Sequence, residues 1–429
     1  MSRWRQWILV GALVATSVPG AVWASEADAI LKKLVEKGLL TASEAQEVRN
    51  EIGGEAKQRE ETQKTFVKDT AKELLPESSQ NWKWNGDFRL RDEYRNQTGS
   101  GQDKNRQRIR FRYGFAAKAN DQLKFGARFA TGSTADPIST NQSFDTSFNH
   151  KTLVLDRAFV EYTPEVPGVS TVKLTGGVMG NPFWLVPGQL VWDDDLNFDG
   201  AALHLDKQLG LVNLFTTGGV FSLNTNVTES STLWSLQGGA SLQPFRGMEE
   251  EVLDHLKVTG ALAYHDYVNV GNSKTETSTA ITNAGGLKGT TSALQDFNLL
   301  NPTFAIESQV AGVPVGAFSD WIHNTAASEG KNGYLFGVKI GKASVPFDLR
   351  KGWEVGYYFE RLGQDATFGP FTHSDFGNGG TNHRGHAYWL KLAALKNSTI
   401  GLAAFNTREA KGTTKNHVDT YQMDWVTIF

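Results

Sequence analysis

The chain has 429 residues, 43 Lys+Arg against 46 Asp+Glu for a formal charge of −3, and no cysteine. Without thiols there are no disulfides, thiolate metal sites or cysteine nucleophiles, and the near-balanced charge gives no basis for nucleic-acid binding. The one long apolar run lies at the extreme N-terminus, which excludes a polytopic helical membrane protein; 44 Gly, 25 Phe, 12 Trp and 10 Tyr suit a β protein whose apolar residues are diluted by alternation.

Arg3 and Arg5 precede an apolar stretch over 7–18, then Pro19-Gly20 and Val22-Trp23-Ala24. A short positive head, about a dozen apolar residues and small residues before the cut predict a signal peptide over 1–24, cleaved after Ala24. The alternative is an uncleaved anchor, although the stretch is shorter than the roughly 20 residues a spanning helix needs. Loss of Arg3 and Arg5 takes the formal charge from −3 to −5. The mature chain is expected to be exported.

Residues 25–80 read as a helical segment. Ile30, Leu31, Leu34 and Val35 recur at helical spacing, Gly38 stops the first helix, and Thr41-Ala42-Ser43-Glu44 is a capping-box pattern. Ala45, Val48 and Ile52 continue one thin apolar stripe, broken by Gly53-Gly54. Such a stripe either pairs with copies of itself as a coiled coil or remains a periplasmic arm. The boundary falls at Pro76-Glu77-Ser78-Ser79.

From 81 to 429 the period changes from 3.6 to 2. Phe88, Leu90 and Tyr94 share one parity, and Asp87, Arg89, Arg91, Glu93 and Arg95 the other. Ile109, Phe111, Tyr113 and Phe115 likewise oppose Arg106, Arg108, Arg110 and Arg112. Sixteen candidate strands follow: about 83–97, 104–118, 122–132, 151–163, 170–180, 197–206, 211–221, 231–243, 256–268, 303–310, 316–323, 331–341, 352–362, 384–396, 399–409 and 418–429. Many approach the roughly ten residues that a tilted strand needs to cross a bilayer. Short connections, as at Asn120-Asp121 and Asn397-Ser398, alternate with long ones at 133–150, 181–196, 269–302 and 363–383. The fold class is therefore all-β, a transmembrane antiparallel β-barrel of about sixteen strands behind a short helical or coiled-coil prefix. An even strand count puts both ends of the barrel, and the prefix, on the periplasmic side. In the last strand Tyr421, Met423, Trp425, Thr427 and Phe429 alternate with polar and aliphatic residues. Tyr421, Trp425 and Phe429 are the expected insertion signal, with the barrel-assembly machinery as partner.

The chain resembles bacterial outer-membrane porins, specifically the putative-porin families of Gram-negative bacteria. The resemblance rests on Gly86-Asp87-Phe88-Arg89-Leu90-Arg91, the ladder over 106–112, Arg128-Phe129-Ala130-Thr131-Gly132, Ser139-Thr140-Asn141-Gln142, the run from Leu155 through Asp156, Arg157 and Ala158 to Tyr162, and Trp425 to Phe429. It covers about 82–429 and implies a sixteen-stranded, trimeric, passive channel. The prefix departs from general porins and is similar to prefixes of some phosphate- or anion-selective ones, which leaves its partner open.

Arginine on the lipid face near midplane costs about 2–4 kcal/mol each, so the charged parity is expected to face the lumen. That parity collects Arg89, Arg91, Arg95, Arg106, Arg108, Arg110, Arg112, Lys124, Arg128 and Arg157. They are expected to line an anion-attracting wall; the competing reading has Asp87, Glu93 and neighbouring loops neutralise them. In loop 181–196, Trp192, Asp193, Asp194 and Asp195 are candidates for a constriction opposing that wall, with Ca²⁺ binding or a solvated loop as alternatives and loop 133–150 as a rival. His373, His383 and His386 offer a weak metal hint against a reading as surface loop residues. There is no G-x-S-x-G elbow, H-E-x-x-H motif or phosphate loop, so no catalytic residue, metal or cofactor is expected. The expected function is an outer-membrane diffusion channel for small polar or anionic solutes, surrounded by outer-membrane lipids and lipopolysaccharide. A phosphate-type specific porin, and a barrel with an enzymatic or sleeve role, are the alternatives.

Overall fold

Strict alternation over long segments gives each strand one apolar and one polar face, and a closed barrel satisfies both faces while leaving no sheet edge unpaired. The computed structural model describes residues 81–98, 103–145, 147–224, 230–270, 297–344, 351–411 and 416–429, with scattered positions between 33 and 50. The chain divides into two units, Met1–Asn81 and Trp82–Phe429. In the first, the Thr41 N–H donates to Glu44 Oε2 at 2.8 Å and the Glu44 N–H to Thr41 Oγ1 at 3.3 Å, the reciprocal bonds of a capping box. The expected signal peptide and most of the stripe lie outside the described residues.

The second unit is built of β1 (Trp82–Gln97), β2 (Lys104–Lys118), β3 (Leu123–Thr131), β4 (Gln142–Ser143), β5 (Leu153–Tyr162), β6 (Thr171–Gly180), β7 (Asn197–Leu209), β8 (Val212–Asn224), β9 (Ser231–Leu242), β10 (Lys257–Val268), β11 (Phe297–Val310), β12 (Val313–Asn324), β13 (Asn332–Gly341), β14 (Trp353–Leu362), β15 (His383–Leu395), β16 (Ser398–Glu409) and β17 (His417–Ile428). β3 pairs directly with β5, and the two-residue β4 is a piece of loop lying on β2 opposite Arg108 and Ile109. The other sixteen strands form one antiparallel barrel, closed where β1 pairs with β17 from Asp87↔Ile428 to Gln97↔Val418. Gly86 and Phe429 complete the seam by exchanging backbone bonds of 2.8 and 3.0 Å. Glycine is required there: a Cβ would sit 2.6 Å from both the Arg112 carbonyl and the Phe429 ring.

Side-chain exposure follows the predicted parity. Leu90 is 45 % exposed while its neighbour Arg91 is 7 % exposed, and outward Trp234 at 55 % follows Leu233 at 1 %. Outward aromatics gather in two girdles. Trp84, Tyr113, Phe125 and Trp425 lie near the short-turn end; Tyr94, Trp234, Tyr264 and Trp321 lie near the long-loop end.

β11 departs furthest from its predicted bounds. β11 starts at Phe297 instead of 303, although Pro302 sits inside it. Its ladder to β12 skips 301 and 302, and Asn301 Nδ2 donates to the Trp321 carbonyl at 2.5 Å. The side chain thus supplies a donor beside the position where proline has none.

Candidate functional site: the arginine wall and the loops that meet it

β1 and β2 pair in a register that places Arg89 opposite Arg110, Arg91 opposite Arg108, Glu93 opposite Arg106 and Asp87 opposite Arg112. Each strand alternates, so all of these side chains fall on the face opposite Leu90, Tyr94 and Tyr113. β3 adds Lys124 and Arg128. A bulge in β5 lets Arg128 bond Asp156 while Arg157 Nε donates to Asn197 Oδ1 at 2.7 Å. The structure therefore brings all ten sequence-identified cations into one contiguous wall.

The wall is laced with carboxylates. Asp87 accepts from Arg110 Nε at 2.9 Å and Arg112 Nε at 2.5 Å. Glu93 is fully buried among Arg95 (3.5 Å), Arg106 and Arg108 (3.5 Å) and accepts from Gln422 Nε2 at 3.2 Å. Arg91 grips Asp424 in a two-pronged contact at 2.7 and 2.8 Å. Lys124 pairs with Glu161.

Three loops reach this wall from the long-loop end. From the first, residues 132–152, Asn141 Oδ1 accepts from Arg89 Nη2 at 2.5 Å and Ser139 Oγ from Arg108 Nη2 at 3.3 Å. From the second, 181–196, Asp195 meets Arg112 Nη1 at 3.2 Å and Arg110 at 3.9 Å, and accepts from the Thr140 N–H and hydroxyl at 3.1 and 3.0 Å. From the third, 363–382, Asp375 pairs with Arg91 Nη1 at 2.8 Å, and Asn378 takes a bond from Arg95. Of the predicted acidic triplet, only Asp195 reaches the arginines. Asp193 is buried behind it, accepting the Ser374 N–H and the Asp195 N–H at 2.8 Å each, and the Asp194 N–H donates to Gln189 at 2.9 Å.

The second and third loops are held inside the barrel by apolar packing. Leu190, Val191 and Trp192 are buried together with Phe368 and Phe376 against inward residues such as Phe198, Phe221, Tyr267, Leu335 and Leu362. Trp192 packs its ring against Phe198, His265, Tyr267 and Phe371. Gly188 lets the loop come this close: its φ is +121°, and a Cβ there would strike Leu335.

These surroundings set the charge states of the loop acids. Burial pushes the Asp195 carboxyl up, but Arg110, Arg112 and the Thr140 N–H outweigh it and hold the group below the usual range. Asp375 is likewise buried yet held well below it by Arg91 and His373. Asp193, with no cation against it, is raised well above its ordinary value by burial and then by Asp195. Burial also lowers His373, whose Nδ1 lies 3.1 Å from the Tyr358 hydroxyl.

A cavity of about 700 Å³ opens beside the wall at the long-loop end, lined among others by Asp136, Ser139, Thr140, Asp156, Asp195, Asn197, Asp199 and Phe371. The predicted histidine trio does not assemble. His383 lies inward, with Nε2 at 2.9 Å from the buried Glu360, whereas His386 bonds Tyr357 on the outer face. Among the described residues no group of three His, Asp or Glu could hold a metal ion. Tyr421 and Trp425 point outward, and Phe429 stacks near Phe111 and Tyr113.

Sequence reasoning missed Asp375, Asn378, Asn141 and Asp424 as partners of the wall. The available signal was the third loop's composition: Phe368, Phe371 and Phe376 among Gly377, Gly379 and Gly380 suit an inward-packed loop better than a solvated one.

The family described as "Putative porin" matches residues 92–314 and 305–429, most of the chain. The chain belongs to this family. No curated protein sequence matches it. Among solved structures, Pseudomonas putida OprB at high pH is 10 % identical, with 82 % of this chain and 95 % of that one covered and a TM-score of 0.54; it shares the barrel fold. Salmonella typhi OmpF, solved with daunomycin, is 11 % identical over 81 % of this chain and 97 % of that one, with a TM-score of 0.48. A Rhodopseudomonas blastica porin triple mutant is 10 % identical over 81 % and 100 %, with a TM-score of 0.42. Family and barrel together make this porin a non-enzymatic channel protein of the Gram-negative outer membrane.

Proposed function

We propose that this porin passes small polar solutes by passive diffusion and favours anions. The observation that carries the reading is the charge balance of the wall, where ten cations meet seven carboxylates: Asp87, Glu93, Asp156, Glu161, Asp195, Asp375 and Asp424. Pairing neutralises most of the positive charge, and the surplus sets the sign of the field along the path. Asp136 and Asp199 in the adjoining cavity reduce that surplus toward the long-loop mouth. The preference is therefore moderate and concentrated at the level of Arg89, Arg108 and Arg110.

The loop carrying Trp192 to Asp195 narrows the passage, and loops 132–152 and 363–382 share that role. In this reading three copies of the chain assemble, the barrel-assembly machinery engages the last strand through Tyr421, Trp425 and Phe429, and the prefix lies in the periplasm. A phosphate-type specificity draws support from one feature: Arg89 Nε and Arg108 Nε are buried donors that lack a partner among the described residues, a capacity an oxyanion bound between the arginines would satisfy.

The test is Arg108→Glu with Arg110→Glu, reconstituted in planar bilayers. Anion permeability relative to cations is expected to fall severalfold or invert. Unchanged selectivity would mean that the carboxylates fully cancel the wall.

A further inference from the structure

A second set of arginines faces the other way. On the outer surface at the long-loop end, Arg361 of β14 is directly opposite Arg384 of β15, which is directly opposite Arg408 of β16. Their chain neighbours Leu362, His383 and Thr407 are buried, so the three guanidinium groups project outward. Directly opposed residues have Cβ atoms about 4.5–5.5 Å apart, a spacing at which like charges destabilise the sheet unless an anion joins them.

The described residues supply no such anion. Among the described residues no carboxylate pairs with any of the three, and Arg384 Nε is a buried donor with no partner. The carboxylates nearby are engaged elsewhere: Asp419 accepts from Asn406, Glu409 from Asn416, and Glu329 pairs with Lys411.

Directly below on the same outer face is an apolar groove of about 620 Å³ lined by Val338, Ile340, Val355, Tyr388, Leu390 and Leu402. Tyr388 is four residues along β15 from Arg384, about 14 Å at 3.4 Å per residue. The cations thus sit at headgroup height, above a surface shaped for acyl chains.

We propose that Arg361, Arg384 and Arg408 form a binding site for a phosphate-bearing lipid of the outer leaflet, with its phosphate across the arginine row and its acyl chains in the groove. Guanidinium forks match phosphate oxygens, and one phosphate relieves the repulsion of neighbouring pairs at once. The proposal rests on the placement in the outer membrane and is independent of ion selectivity.

The test uses the full chain, purified in detergent and titrated with bisphosphorylated lipid A by native mass spectrometry. Lipid A stripped of phosphate and inorganic phosphate are run as separate arms. The wild type should retain the bisphosphorylated lipid, and R361Q/R384Q/R408Q should weaken binding on the order of 100-fold, roughly fivefold per arginine. Conductance of the triple variant should be unchanged. Equal retention of the phosphate-free lipid by the wild type, a reading that needs no variant, would overturn the proposal. So would full affinity in the triple variant, or complete competition by equimolar inorganic phosphate.

Discussion

The interior of this barrel has two unlike halves. Along β1 and β2 the inward side chains carry most of the arginines, with Lys124 and Arg128 of β3 and Asp424 of β17 beside them, and loops meet them through ion pairs and hydrogen bonds. Along β7–β16 buried apolar side chains stand among polar ones such as Ser235, Gln237, His265, Asn301, Asp320 and Glu360, and the same loops meet the apolar ones in a core centred on Trp192, Tyr267, Phe368 and Phe376. Apolar anchoring adds to the ion pairs of Asp195 and Asp375 in holding these loops. In the proposed channel the arginine-bearing half is the one that faces the solute. The difference also explains how an open-ended barrel carries a sizeable internal core: loop residues such as Trp192, Phe368 and Phe376 fill the space between inward strand residues such as Phe221, Tyr267 and Leu335.

The comparison breaks most readily at the apolar anchor. Trp192→Ala removes a side chain only 2 % exposed and should cost about 3–5 kcal/mol of loop attachment. The expected result is higher conductance with little change in charge preference, read from single channels; unaltered conductance would mean that the loop does not limit the path. On the charged side, Glu93→Gln leaves Arg95, Arg106 and Arg108 without their shared counter-charge. Denaturant unfolding should show a loss of about 3 kcal/mol, the lower end for breaking a buried pair, together with stronger anion preference. A stable variant with unchanged selectivity would separate Glu93 from the field.

Acid sharpens the contrast further, at smaller scale. Asp195 and Asp375 have folded values below their unfolded ones, so their stabilisation is present above about pH 4 and is lost as pH falls through the depressed values. His373, lowered by burial, opposes the folded loop once pH drops below about 6.5, where the unfolded imidazole takes up a proton. Asp193 works in reverse: its raised value favours the loop in acid, and that contribution fades as pH rises through it. With two carboxylates and a histidine against Asp193 and Asp194, loop protection from proteolysis should weaken as pH falls below about 6.5 and most steeply below about 4. Asp375→Asn should flatten the steepest part of that decline.

Much of this was legible before any coordinates. Period-2 alternation over long segments located the strands within a few residues, because a one-residue slip would send Arg106 to Arg112 into lipid. The same parity gathered all ten cations on one wall. The paths of the loops were not legible: Asp375 meets Arg91 across 284 positions of sequence, and no local pattern encodes such a contact. Asp193, Asp194 and Asp195 look equivalent in sequence, yet their surroundings give them three different environments. Pro302 hid the start of β11, since the compensating donor sits on the neighbouring Asn301 side chain.

The most direct measurement of the central claim is the reversal potential of the wild-type channel in a planar bilayer under a tenfold KCl gradient. A potential on the chloride side of zero, shifting toward zero as salt screens the wall, is the predicted result. A potential on the potassium side would contradict it.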